Sequence, residues 1–249
     1  VTQGDRIQDL SFDKLEGKGF FTKEIEQALL NGEVDLAVHS HKDLETTQPA
    51  GLHIAAVSYR EDASELLLMR KSAFDSNEPW NLKKNAIIGT SSARRKAQIL
   101  AQRSDLEIKE LRGNVPTRID KLRQGQYDAI LLARAGVLRL ALDLSDLETV
   151  VLDPTSFIPA PAQGVLGLQT RVDDHVSTEI LQKLHHADVA KRIGLERSVL
   201  RQMDGGCQLP LGVYCTGNQV HVSFSSSSTS AATNSVYDYV DGNEMQLAQ

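Results

Sequence analysis

The order of apolar and polar positions divides the chain into short helical and extended segments. Phe21, Ile25, Ala28 and Leu29 fall at helical spacing, and Gly32 stands where a helix end needs a left-handed residue. Val34, Leu36, Ala37 and Val38 form an apolar run that predicts a buried strand from Val34 onward. Gly51 to Val57 and Leu66 to Met69 read as further strands. Ala86 to Thr90 is another, and Ser91 or Ser92 can cap a helix that sets Ala93, Ala97, Leu100 and Ala101 on one face. Glu107 to Leu111 is extended. Asn114 and Pro116 suit the start of a helix that carries Ile119 and Leu122 and stops at Gly125. Asp128 to Leu132 completes a compact β-α-β-α-β unit over 86–132. Pro154, Pro159 and Pro161 mark a connection, followed by a strand over 164–168 and a helix over 185–203 with Val189, Ile193 and Leu200 inward. Gly205 and Gly206 break that helix, and β character returns at 220–224 and 236–240 around a Ser-rich turn. Alternating helices and strands predict an α/β fold with a mostly parallel sheet.

Composition narrows the class. The 249 residues allow one large domain or two to three small ones, and no apolar run approaches the length of a membrane span. A net charge of −6 argues against general nucleic-acid binding, so any anion site must be built from local arginines. Two cysteines, Cys207 and Cys215, form neither a disulfide framework nor a zinc pattern, which points to a reducing, cytoplasmic setting. Val1 is not an initiator, and the sequence is expected to begin inside a longer chain.

The candidate chemistry lies where strands end. His39, Ser40, His41, Lys42 and Asp43 arrive together after the run from Val34, and ligands of open α/β sheets bind beyond the carboxyl ends of strands. Asp43, beside Lys42, is a carboxylate placed to stabilise a cation or shuttle a proton. His39, His41 and Asp43 lack a converging arrangement for a metal, and none is expected. Thr90, Ser91 and Ser92 stand at a strand-to-helix junction, where backbone N–H groups and the helix dipole favour an anion. Arg94 and Arg95 follow in the first turn, an unfavourable place for cations unless a carboxylate or phosphate sits there. Arg112, Arg118 and Arg139 recur near later strand ends, and guanidinium groups bind carboxylates bidentately. Cys207, between a glycine pair and Gln-Leu-Pro, can either project into a cleft or pack as a small hydrophobe.

Six ordered segments together resemble the hydroxymethylbilane synthase, or porphobilinogen deaminase, family. They are His-Ser-x-Lys-Asp at 39–43, Gly-Thr-Ser-Ser-x-Arg-Arg at 89–95, Leu-Arg-Gly-Asn-Val-x-Thr-Arg at 111–118, Tyr-Asp-Ala-Ile-Leu-Leu-Ala-x-Ala-Gly at 127–136, Pro-Ala-x-x-Gln-Gly at 159–164 and Gly-Gly-Cys-Gln-x-Pro-x-Gly at 205–212. The resemblance implies two periplasmic-binding-protein-like α/β domains flanking a cleft, plus a small C-terminal α+β domain. Residues 1–60 with 159–182 would form the first, 61–158 the second and 183–249 the third. It implies a dipyrromethane cofactor joined to Cys207 by a thioether. On that primer four porphobilinogens are deaminated and joined head to tail, giving 1-hydroxymethylbilane and ammonia. Asp43 would be catalytic, facing the cationic azafulvene left by ammonia loss. Ser40, Lys42, Thr90, Ser92, Arg94, Arg95 and Arg118 would hold the cofactor. Arg112 and Arg139 would hold substrate or chain carboxylates, with Lys14 and Lys18 on a loop over the cleft. The partners implied are the small-molecule substrate alone, with no nucleic acid and no membrane, for a monomer.

The chain departs from the family pattern in places. Position 41 is His where Met is common, Leu44-Glu45 replaces Val-Pro, Ala162 stands where Gly is frequent, and Arg134 replaces a small residue as a possible further carboxylate contact. The family's first strand and helix are absent, and the third domain is short. The rival readings are a two-lobed, non-catalytic binding module for a carboxylated ligand, which has no use for Gly-Gly-Cys-Gln, and an inactive truncated homologue.

Overall fold

The computed structural model describes residues 22–203 and 209–239. Helix α1 (Lys23–Leu30) buries Leu29, and Gly32 beyond it takes φ +72°, as the pattern predicts. Strand β1 (Ala37–Ser40) differs from the expected buried strand. It starts three residues later than Val34 and alternates, with Ala37 and His39 buried but Val38 56% exposed. A half-solvated strand needs only one apolar face, so the run of consecutive apolar residues misled.

After β2 (Leu52–Val57) the chain crosses over at 58–64 and enters a second sheet with β3 (Glu65–Arg70). There follow β4 (Ile87–Gly89), α2 (Ala93–Gln102), β5 (Glu107–Lys109), α3 (Val115–Arg123), β6 (Ala129–Ala133), α4 (Arg134–Leu140) and β7 (Leu147–Leu152). The sheet order is β5-β4-β6-β3-β7. Strands β4, β5 and β6 are mutually parallel, whereas β3 is antiparallel to both β6 and β7. The expected mostly parallel sheet is therefore mixed, with one reversed strand. The crossover explains it: β3 begins where β6 ends, Glu65 facing Ala133, and so runs back into the sheet. Leu67 and Met69 pack on one face with Ile88 and Phe157, and Leu66 and Leu68 on the other with Ile119 and Ile130. Burial on both faces is why this strand reads as a continuous apolar run.

The chain returns through 153–165 to β8 (Leu166–Arg171), the central strand of a sheet β1-β8-β2 that is antiparallel throughout its described strands. Helices α5 (His175–Gln182) and α6 (Ala187–Gln202) follow, then a meander of β9 (Leu211–Cys215), β10 (Gln219–Phe224) and β11 (Thr233–Asp238). Leu195, Val199 and Leu200 of α6 pack on Val213 and Val220 of that sheet.

The two crossovers touch. Glu61 N–H donates to Gly164 O at 3.0 Å, and Arg60 Nε donates to Gln163 O at 3.0 Å. Gly164 has φ +92°, and a Cβ there would stand 2.3 Å from Glu61 O. Neither the torsion nor the space admits a side chain. Gly164→Ala should therefore cost about 3 kcal/mol, read as a fall of about 10 °C in Tm. A Tm within about 2 °C of the parent would show that the crossovers can separate without penalty.

Candidate active site

Strand β3 opens with Glu65, which is fully buried. Its two oxygens receive the arginines that start α2: Arg94 Nη2 at 2.6 Å and Arg95 Nη2 at 2.7 Å. Arg94 Nη1 also donates to Ile158 O and Arg95 Nη1 to Leu131 O. Burial alone would raise the Glu65 carboxyl, but Arg95 and Arg94 outweigh it and hold the pKa at about 2. The sequence pattern expected Ala93, Leu100 and Ala101 inward on α2. Instead Arg94 and Arg95 are buried beside Ala97 and Ile99, and Ala101 is exposed. A buried counter-ion on another strand reversed the apolar periodicity, and the local sequence holds no sign of it.

Across the cleft, β1 ends in a 3-10 turn, His41–Asp43. Backbone contacts hold it: His41 N–H donates to Val165 O, and Arg197 of α6 donates to the carbonyls of His41, Leu44 and Glu45. His41 is buried against Gly167, and burial, reinforced by Arg197, lowers its pKa to about 4, so it is neutral at physiological pH. His39 Nε2 meets Gln169 Oε1 at 3.0 Å. The strand end and the turn thus bury His39 and His41 and leave Asp43 exposed.

Asp43 opens into a cleft of about 310 Å³. Ser40 and Lys42 line it from the same side, and Arg95, Arg118 and Arg139 from helices α2, α3 and α4 beside the five-stranded sheet. Gln163 and Gly164 of the returning crossover complete the lining between them. Lys42 Nζ donates to Gln163 Oε1 at 3.2 Å, Arg118 Nε to Gly113 O at 2.6 Å and Arg139 Nη2 to Gly164 O at 2.6 Å. Burial pulls the Lys42 ammonium below its ordinary pKa, with Asp43 opposing. Burial also takes Arg118 to about 10, Arg95 adding to the effect and Asp43 opposing it. An anionic ligand would relieve both cations.

The structure therefore brings Ser40, Lys42, Asp43, Arg95, Arg118 and Arg139 to one cleft. Thr90, Ser92, Arg94 and Arg112 are not on its lining. Thr90 Oγ1 accepts from Ser92 N–H, Ser92 caps α2 by accepting from Arg95 N–H, and Arg94 serves Glu65 and Ile158. Arg112 is half-buried beside Gly113, its carbonyl accepting from Lys121. Lys14, Lys18 and Cys207 lie outside the described residues. Arg134, read as a possible carboxylate contact for ligand, pairs with Asp62 at 2.5 Å. Sequence reasoning gave no role to Asn114 beyond its helix cap or to Gln163, although both stand in quoted motifs and both line the cleft.

The donors of the cleft fit a carboxylate-rich group. Arg95 lines the cleft, and its buried Nε has no hydrogen-bond partner among the described residues. A carboxylate oxygen is the acceptor such a donor wants.

The comparisons with known proteins agree with this geometry. Residues 1–179 match the family model described as porphobilinogen deaminase, dipyromethane cofactor binding domain, and residues 190–227 match the porphobilinogen deaminase C-terminal domain. A porphobilinogen deaminase of Oceanobacillus iheyensis is 45% identical over 222 residues, covering 88% of this chain and 70% of its own length. That of Shouchella clausii is 46% identical over 216 residues, covering 87% and 68%. Among solved structures, a periplasmic binding protein of Brucella ovis with glutathione bound aligns at 18% identity over 73% of this chain and 53% of its own, with a TM-score of 0.41, too distant to bear on function. The chain belongs to the porphobilinogen deaminase family, and its activity is the dipyrromethane-dependent condensation of porphobilinogen to hydroxymethylbilane.

Proposed function

We propose that Asp43 is the catalytic residue of this condensation and that the cations around it hold the carboxylates of cofactor, substrate and growing chain. The observation that carries this is the exposure of one carboxylate at a cleft flanked by Lys42, Arg95, Arg118 and Arg139. Each pyrrole unit brings an acetate and a propionate, so the chain is a polyanion that a cationic cleft suits. When the aminomethyl C–N bond breaks and ammonia leaves, positive charge develops on the pyrrole of the incoming unit. Asp43 faces that charge in a cleft where an ion pair is stronger than in water. As the new C–C bond forms, the attacked pyrrole carbon loses a proton, and Asp43 takes it on its way to solvent. The dipyrromethane, held through Cys207, supplies the primer to which the first unit is joined.

On the cofactor side the reading assigns Ser40, Lys42, Arg95 and Arg118, and on the substrate side Arg139. Thr90, Ser92 and Arg94 support these from behind the cleft: Ser92 caps the helix that starts with Arg94 and Arg95, and Arg94 shares Glu65 with Arg95. Arg112, at the turn before Asn114, and Lys14 and Lys18 remain assigned to substrate by the family pattern. The crossovers at 58–64 and 153–165 support the division into residues 1–60 with 159–182, 61–158 and 183–249. The reading extends to a monomer acting in the cytoplasm.

Intact mass tests it. The purified chain should carry one dipyrromethane on the peptide containing Cys207, and added porphobilinogen should build discrete heavier species. Cys207→Ser should show the bare mass and no turnover. An adduct that survives in Cys207→Ser would move the attachment elsewhere. Species that do not grow with porphobilinogen would leave only ligand binding.

A further inference from the structure

Glu65 touches no part of the proposed chemistry. It is fully buried and is not on the cleft lining, yet its hydrogen bonds lead toward both walls. Its Oε2 accepts from Arg95, whose guanidinium is also fixed by Leu131 O. Its Oε1 accepts from Arg94 and, at 3.2 Å, from Gln163 Nε2. Gln163 is itself fully buried, and the same Nε2 lies 2.8 Å from Ala63 O and 3.4 Å from Ser64 O. Three acceptors around that nitrogen leave the amide only one orientation. Its oxygen must point the other way, and there it accepts from Lys42 Nζ.

We infer that Glu65 is a positioning residue, which through Gln163 as relay places Arg95 on one wall of the cleft and Lys42 on the other. A flipped amide would turn a donor toward the Lys42 ammonium, and an uncharged residue at 65 would leave two adjacent guanidiniums to repel each other. One cation on each side of the cleft, Arg95 and Lys42, thus answers to the same carboxylate. Geometry alone permits this because β3 runs opposite to its neighbours and delivers its first residue to the cleft end of β6. The inference rests on the reading that the cleft binds carboxylates, and the test separates the two.

The test uses cofactor-loaded enzyme carrying Glu65→Gln, Glu65→Asp or Gln163→Met, the last a near-isosteric change that keeps the buried volume. Lys42 is labelled by reductive methylation across a pH series and read by peptide mass. In Glu65→Gln and Gln163→Met the midpoint of Lys42 labelling should fall by about one pH unit, because the ammonium loses its acceptor. KM for porphobilinogen should rise about tenfold, with kcat per loaded molecule changed by less than about threefold, the signature of binding lost equally in ground and transition states. Glu65→Asp keeps the charge and should hold the labelling midpoint near that of the parent. Because the Glu65 charge itself also raises the Lys42 pKa, Gln163→Met decides: a purely structural Gln163 would lower Tm and leave the Lys42 midpoint and KM where they were. That result in Gln163→Met overturns the proposal even if Glu65→Gln does not fold. Arg139→Ala, on the substrate side and outside the relay, should raise KM without moving the Lys42 midpoint. An unchanged KM there would sink the cleft reading, while the labelling would still report on the relay.

Discussion

Asp43→Asn is expected to fold normally, load its cofactor and turn over at less than about one hundredth of the parent rate. The scaffold should not notice the change. The turn that carries residue 43 is held through main-chain atoms, by Val165 O and by the three carbonyls that Arg197 binds, and the Asp43 side chain itself is exposed. Asparagine has the same shape but no charge and no proton affinity. What disappears is the counter-charge to the cation formed when ammonia leaves, together with the base for the pyrrole carbon. Removal of either function alone is worth about 10²-fold or more. Single-turnover kinetics followed by intact mass separates loading from chemistry. Turnover within about threefold of the parent would remove Asp43 from the mechanism.

The second large effect is structural. Glu196 in α6 is completely buried and accepts four hydrogen bonds from three parts of the chain. Arg60 of the first crossover meets it at 2.6 and 3.2 Å, Ala162 N–H of the second crossover at 2.7 Å and Cys215 N–H of β9 at 2.8 Å. Arg60 also lies 5.0 Å from the centre of the Tyr214 ring. Glu196→Ala leaves a guanidinium largely out of water with no anion, and two buried N–H groups without acceptors. Breaking a buried pair in this way costs about 3–5 kcal/mol, or about 10 °C in Tm for a chain of this size. Glu196→Gln, which keeps one acceptor oxygen but loses the charge and turns the other oxygen into a donor, should fall between. Thermal unfolding decides: a shift below about 3 °C for the alanine variant would mean the junction relaxes or admits water.

Much of this was legible in the sequence, and the illegible remainder has one cause. The β-α-β-α-β unit, the caps Ser92 and Asn114 and the left-handed Gly32 and Gly125 follow from local rules, and each stands as expected. Helices α4 and α5 and strands β7 and β9 escaped the reading, because α4 and α5 are one or two turns long and the strands are no longer than six residues. The reversal of β3 depends on where the chain enters the sheet, which no window along the sequence contains. The site divides in the same manner. Asp43 and the arginines announce themselves by type and position at strand ends. Glu65 reads as an ordinary charged residue opening an apolar strand, and only the fold brings Arg94, Arg95 and Gln163 to it. The arginine pair at the start of α2 is expected to face a bound carboxylate or phosphate. For Arg94 and in part for Arg95 that anion is a side chain of this chain.

Strand β8 carries a consequence for biosynthesis. It is the middle strand of its sheet, and its partners β1 and β2 precede it by about half of the chain's length, His39 and Gln169 being 130 residues apart. Every strand of the five-stranded sheet is translated before β8 leaves the ribosome. That sheet can close its own core while the nascent β1 and β2 still wait for the strand that lies between them. Non-local pairing of this kind is slow because a long loop must close before any contact rewards it. A five-stranded sheet already folded shortens that loop to a rigid span, so the later segment nucleates the earlier one. The waiting strands are where a nascent chain is most open to aggregation and to chaperone capture.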